Sequence, residues 1–262
     1  MIRAVVFDLF DTLVDLRWDR IPRTGHAGRE LPAALRAMHD ALAGRRGGLG
    51  FDAFLEALEA CRRDFRDSHL RHDREVPTPV LMADLLARFE LEDEALALEL
   101  TRLHMQGIRS GVVTLDHHPE VLDALGRDFA LGLCSNFTHS QTALAVLDQA
   151  ALRGALRAEA LVVSDAVGWR KPNAAIFRAA SRALGVEAGE VLHVGDSLRA
   201  DIAGAATAGS RTVWITRRID DPERALAEHD GPAPDHVIAD LSELPALCEA
   251  LARDAPSRSA SR

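Results

Sequence analysis

Apolar and polar positions divide this chain into two regimes. Ala4 to Phe7 is a compact β-branched and aromatic run, which predicts a buried strand. The pattern then turns helical. Leu31 to Leu42 has helical apolar spacing, and Gly44, Gly47, Gly48 and Gly50 interrupt it. Phe51 to Phe65 predicts a stronger amphipathic helix, with Phe51, Phe54, Leu55, Leu58 and Cys61 on or near one face. Pro77 and Pro79 mark a break before helical runs at Val80 to Phe89 and Glu92 to Met105. This block has almost no strand signal.

Near Pro119 the alternation changes. Glu120 to Leu125, His139 to Leu147, Asn173 to Leu184, Leu198 to Ala208 and Leu241 to Leu251 read as helices. Between them, Phe129 to Cys134, Leu161 to Val163, Val191 to Val194 and Thr212 to Ile215 read as strands, with Asp235 to Ile238 as an edge strand. Strands alternating with helices predict parallel βα units. Buried parallel strands need no polar alternation. The expected division is a core of residues 1–14 and 119–253, an inserted helical block of 15–118 with its hinge segments, and a polar, serine-rich tail of 254–262 that frays.

Composition narrows the function classes. The 262 residues are 47% apolar and carry a formal charge of -9 with both signs mixed, which gives no nucleic-acid footprint. The 3 cysteines, Cys61, Cys134 and Cys248, are too scattered for a metal motif or a disulfide framework. Met1 to Phe7 runs straight into a strand, without the form of a secretory signal, and no apolar stretch is long enough to span a bilayer. A cytoplasmic protein, a monomer or homodimer with no membrane partner, is the expectation.

Chemistry concentrates where predicted strands end. Open α/β sheets bind ligands there. Asp8 follows the first strand, with Asp11 and Thr12 just beyond. A carboxylate can attack phosphorus if a divalent ion and an ammonium offset the repulsion between two anions. Thr12 can support the turn or phosphate oxygens. Local capping by Asp8 and Asp11 is the alternative. Ser135 follows Leu131-Gly132-Leu133-Cys134, where its hydroxyl can hold a phosphoryl oxygen or simply shape the turn with Asn136. Lys171 is the sole lysine among 31 basic residues, in Gly168-Trp169-Arg170-Lys171-Pro172. Its amine is a movable point charge suited to transferring oxygens, although most lysines are merely solvated. Asp196 ends the Val191 to Gly195 run and suits magnesium, a hard cation. Asp201 would orient Lys171 or a metal-bound water. Ser197 is placed to cap the next helix. Arg17 fits a substrate anion or, by the larger weight, solvent. His193 reads as a core histidine.

Four pieces, Asp8-Leu9-Phe10-Asp11-Thr12-Leu13, Cys134-Ser135-Asn136, Gly168-Trp169-Arg170-Lys171-Pro172 and Gly195-Asp196-Ser197 with Asp201, resemble in order and separation the haloacid-dehalogenase-like hydrolase superfamily, in its helical-cap branch. The resemblance covers nearly the whole chain. It implies an α/β fold, a Rossmann-like parallel sheet core with an inserted all-helical cap that selects the substrate. It implies a magnesium-dependent phosphomonoester hydrolase acting on a small phosphorylated molecule through an aspartyl-phosphate. Asp8 would be the nucleophile, Ser135 the phosphate-binding hydroxyl and Lys171 the charge stabiliser. Asp8, Asp196 and the Phe10 backbone carbonyl would hold Mg²⁺. One position departs from the pattern. The usual phosphatases of the superfamily carry a second aspartate, the general acid and base, where this chain has Phe10. A general acid contributes about 10²–10⁴-fold, so weak turnover of alkyl phosphates is expected. The dehalogenase subgroup places an aromatic at that position and needs no magnesium, but it lacks a motif of the Gly195-Asp196-Ser197 type. That metal-free chemistry and a catalytically weak or inactive binding protein are the alternatives.

Overall fold

A computed structural model describes residues 1–253; the tail expected to fray, 254–262, lies outside the described residues. The chain opens on β1 (Ala4–Phe7), then β2 (Asp15–Leu16), β3 (Arg23–His26) and β4 (Arg29–Pro32). Four helices follow, α1 (Ala33–Arg46), α2 (Phe51–Ser68), α3 (Thr78–Ala87) and α4 (Glu94–Arg109), and β5 (Val112–Val113) closes the insertion. The remainder alternates: α5 (His118–Leu125), β6 (Ala130–Ser135), α6 (Ser140–Gln149), β7 (Leu161–Val163), α7 (Ser164–Val167), α8 (Ala174–Leu184) and β8 (Val191–Gly195). After a π-helical stretch, Leu198–Ala203, come α9 (Gly204–Thr207), β9 (Arg211–Ile215), α10 (Pro222–Ala227), β10 (His236–Ile238) and α11 (Leu244–Arg253).

Six strands form an all-parallel sheet in the order β10-β9-β8-β1-β6-β7. Both faces are covered, which is why β1 is apolar at every position. Val5 and Phe7 join one core cluster with Leu131, Leu133, Leu192 and Val194. Ala4 and Val6 join the other with Cys134, Val162, Ile176 and Phe177. The strand order reverses beside β1, which has β6 on one side and β8 on the other. Their carboxyl ends form the crevice that such a reversal creates.

The inserted block has its own core of Met38, Leu42, Phe54, Leu58, Leu85, Leu96 and Leu100. It joins the sheet domain through an antiparallel ribbon in which Asp15 pairs with Val113 and Leu16 with Val112. Two local readings shift. Leu31 lies in β4, paired with Thr24 of β3, rather than in a helix. Gly44 lies inside α1, whose apolar face outweighs one weak helix former; the helix stops at Gly47, with φ of 69°.

Candidate active site

β1, β6 and β8 deliver their end residues to one point. The Asp8 N–H donates to Val194 C=O (2.9 Å), which carries the sheet ladder one residue past β1 and fixes the carboxylate above the strand ends. Lys171 arrives from the loop after α7. Its backbone is clasped by Asn136: the Lys171 N–H donates to Asn136 Oδ1 (2.6 Å), and Asn136 Nδ2 donates to Lys171 C=O (2.9 Å). Lys171 Nζ then donates to Asp8 Oδ1 and to Asp201 Oδ1, each at 2.6 Å. All three side chains are buried.

Asp201 is held on every side. It accepts from Lys171, from His193 Nε2 (2.9 Å) and, through Oδ2, from the Ser197 N–H (3.1 Å). His193 donates here because an ionised carboxylate only accepts. Gly195 makes the approach possible, since a Cβ there would overlap the Asp201 carboxylate. Ser197 caps the π-helical stretch by accepting from the Ala200 N–H (3.1 Å). Asp196 is half-buried; its backbone C=O accepts from Trp214 Nε1 (2.7 Å), and its side chain is left to the cluster.

Asp8, Asp196 and Asp201 each offer an oxygen within 4.8 Å of the others. Their proton affinities diverge. Burial raises Asp8 to about 6, against the pull of Lys171. Burial and the charges of Asp8 and Asp201 raise Asp196 to about 8. Asp201 is also opposed by burial, but Lys171 and His193 hold it down near 2. For Lys171, burial is outweighed by the two carboxylates and the pKa rises, so the amine stays charged. Ionising all three carboxylates against one ammonium would leave a negative surplus in a buried place, which is why Asp8 and Asp196 hold their protons above the ordinary range. Oxygen donors crowded in this way suit a hard divalent cation.

Two hydroxyls singled out in the sequence have no hydrogen-bond partner among the described residues. Thr12 Oγ1 and Ser135 Oγ are buried and make no hydrogen bond. Buried hydroxyls are normally satisfied, so both are free to meet a ligand oxygen.

Other residues singled out in the sequence point elsewhere. Asp11 adopts a left-handed turn conformation (φ 57°); its Oδ1 accepts from the Leu16 N–H (3.1 Å) and lies 3.8 Å from Arg218 Nε. Arg17 is committed to Asp19 through Nε (3.0 Å) and Nη2 (2.9 Å). The Phe10 ring packs edge-on against Phe137, with centroids 5.0 Å apart. His193 is the buried core histidine that the sequence suggested, and its bond to Asp201 is what the sequence did not show. The sequence reading also passed over cap residue Glu75, which is buried and accepts from Ser164 Oγ (2.6 Å). A charged residue in the proline-flanked break before α3 was the available signal for Glu75.

The model for "haloacid dehalogenase-like hydrolase" matches residues 2–209. Among curated proteins, glyceraldehyde 3-phosphate phosphatase of Methanopyrus kandleri is 29% identical over 259 residues, spanning 97% of this chain and 100% of its own length. The protein of that name from Methanothermobacter thermautotrophicus is 27% identical over 249 residues, 93% of this chain and 98% of its own. Among solved structures, 2-haloacid dehalogenase from Pseudomonas syringae pv. Tomato superposes with a TM-score of 0.67 at 27% identity, covering 97% of this chain and 99% of its own. With this match, the six-stranded parallel sheet and the inserted helical cap, the chain belongs to the haloacid dehalogenase-like hydrolases.

Proposed function

We propose that the protein is a magnesium-dependent phosphomonoesterase whose nucleophile is Asp8. The observation that carries this reading is the convergence of Asp8, Asp196 and Asp201 around the single ammonium of Lys171. Similarity to curated phosphatases along nearly the whole chain supports it. Asp8, Asp196 and the Phe10 backbone carbonyl would hold the ion. Magnesium bound there would offset the charge of the ester and of the attacking carboxylate.

The chain's own groups account for the rest. The Ser135 and Thr12 hydroxyls donate to phosphoryl oxygens and orient the ester. Lys171, anchored by Asp201, keeps Asp8 ionised and neutralises charge on the transferring group. An Asp8 oxygen attacks phosphorus, the P–O bond to the alcohol breaks, and the electron pair leaves on the alcohol oxygen. Water then attacks the phospho-aspartate, releasing phosphate and restoring Asp8. No carboxylate stands two residues after Asp8 to protonate the leaving oxygen, so aryl phosphates, which leave as weak bases, are expected to turn over faster than alkyl phosphates.

The test is a panel of aryl and alkyl phosphates assayed with Mg²⁺ and with chelator. Parent protein should lose activity on chelation, and Asp8→Asn should show neither turnover nor an acid-stable phosphoryl label. Turnover and labelling that persist in Asp8→Asn would reject the assignment.

Metal-free dehalogenation is the second reading, favoured by Phe10 and by the similarity to the Pseudomonas enzyme. Asp196, set among the acids, speaks for phosphate chemistry. Halide release from a short 2-haloacid in the presence of chelator would decide for the dehalogenase.

A further inference from the structure

We infer that the mouth of the site contains a second anion-binding position, where arginines from cap and core grip a carboxylate or further phosphate on the same substrate. The inference rests on the phosphomonoesterase reading and narrows its substrate class.

A cavity of about 670 Å³ opens beside Lys171, with Arg66, Arg71 and Asp73 on the cap side and Arg170 and Arg199 on the core side. That volume is within the range of small-molecule sites and exceeds what one phosphoryl group fills. Lys171 is already balanced by Asp8 and Asp201. Arg71 has Asp67 at 3.2 Å, and Arg170 has buried Glu75 at 3.6 Å. Arg66 and Arg199 have no carboxylate within 4.0 Å among the described residues. Asp73 is the one acidic side chain in the lining. The cavity is therefore cationic in a chain whose formal charge is -9.

Arg66 and Arg199 belong to opposite sides of one opening. Like charges held there repel, and an oxyanion between them turns repulsion into two attractions. Guanidinium forks match carboxylate and phosphate oxygens and bind them more strongly than neutral groups. A phosphoester held at Lys171 whose far end carries a negative charge would reach these arginines across the cavity that Lys171 lines. A neutral sugar or alcohol offers neither arginine a partner.

The matched pair for the test is 3-phosphoglycerate and glycerol 3-phosphate, which differ by a carboxylate against a hydroxymethyl group. Fructose 1,6-bisphosphate against fructose 6-phosphate asks the same of a second phosphate. Binding is measured by calorimetry on full-length Asp8→Asn protein with Mg²⁺, so no turnover is needed. The expected result is about ten-fold tighter binding of at least one doubly anionic partner, declining as salt is raised. In Arg66→Ala/Arg199→Ala the ratio should fall toward one, with part of it retained in Arg66→Lys/Arg199→Lys. Equal affinities within both pairs, or an undiminished ratio in the alanine variant, would overturn the inference. The parent's Mg²⁺-dependent hydrolysis of p-nitrophenyl phosphate, run alongside, tests the phosphomonoesterase reading separately.

Discussion

His104, on α4 within the cap, has its pKa lowered to about 4, chiefly by burial and further by the charge of Arg62. A histidine in an unfolded chain titrates near 6.5. As pH falls, the unfolded state binds the proton first. The His104 contribution is therefore complete above pH 6.5 and is lost as pH falls toward 4. Urea titrations at pH 7 and pH 5 should show a smaller stability difference in His104→Leu than in the parent; an identical difference would exclude His104 as the source. At this scale, Asp8, Lys171 and Asp196 stood out in the sequence because each stands just past an apolar run or in a distinctive loop, whereas Ser135, a serine after a strand, was a weak signal until set beside them. The His193 contact with Asp201 gave none. A histidine inside a strand looks the same whether it faces an apolar neighbour or a carboxylate eight residues on, and only the chain path decides.

The β8 end depends on a missing side chain. Gly195→Ala would drive a methyl into the Asp201 carboxylate and push it away from Lys171 Nζ. Overpacking of this kind costs about 1–3 kcal/mol, and kcat should fall by about ten-fold or more because Lys171 loses its anchor. Steady-state kinetics with a thermal melt checks both; normal kcat would show that Asp201 can shift without consequence. Long apolar runs made the sheet strands readable as elements. β2 and β5 are two residues each, too short for any period to register. The β3–β4 hairpin is exposed and mostly polar, and it turns on Ala27-Gly28 with φ of 49° and 75°. An alanine stands where asparagine or aspartate would have announced the turn.

Across the whole molecule, cap and sheet domain hold separate apolar clusters, so damage to one need not spread to the other. Phe54 is fully buried in the cap. Phe54→Ala should cost about 3–5 kcal/mol, and faster amide hydrogen exchange should be confined largely to α1–α4. Equal acceleration in β1 and β8 would mean that both domains unfold as one unit. The division into a parallel sheet and a helical insertion could be read from the change in apolar period. Which cap surface meets the site could not. Arg66, Arg71 and Asp73 lie far in sequence from Lys171 and Arg199, and no local pattern records how the cap docks.

The hydrogen bond from the Trp214 indole to Asp196 C=O ties a fluorophore to the backbone of a proposed cation ligand. Trp18 is exposed, and Trp169 lies under the Arg74 guanidinium, 3.8 Å from the ring centroid. A Trp18→Phe/Trp169→Phe protein would therefore emit from Trp214 alone. Magnesium should alter that emission saturably and chelator should restore it, giving an optical titration of the centre without substrate or turnover.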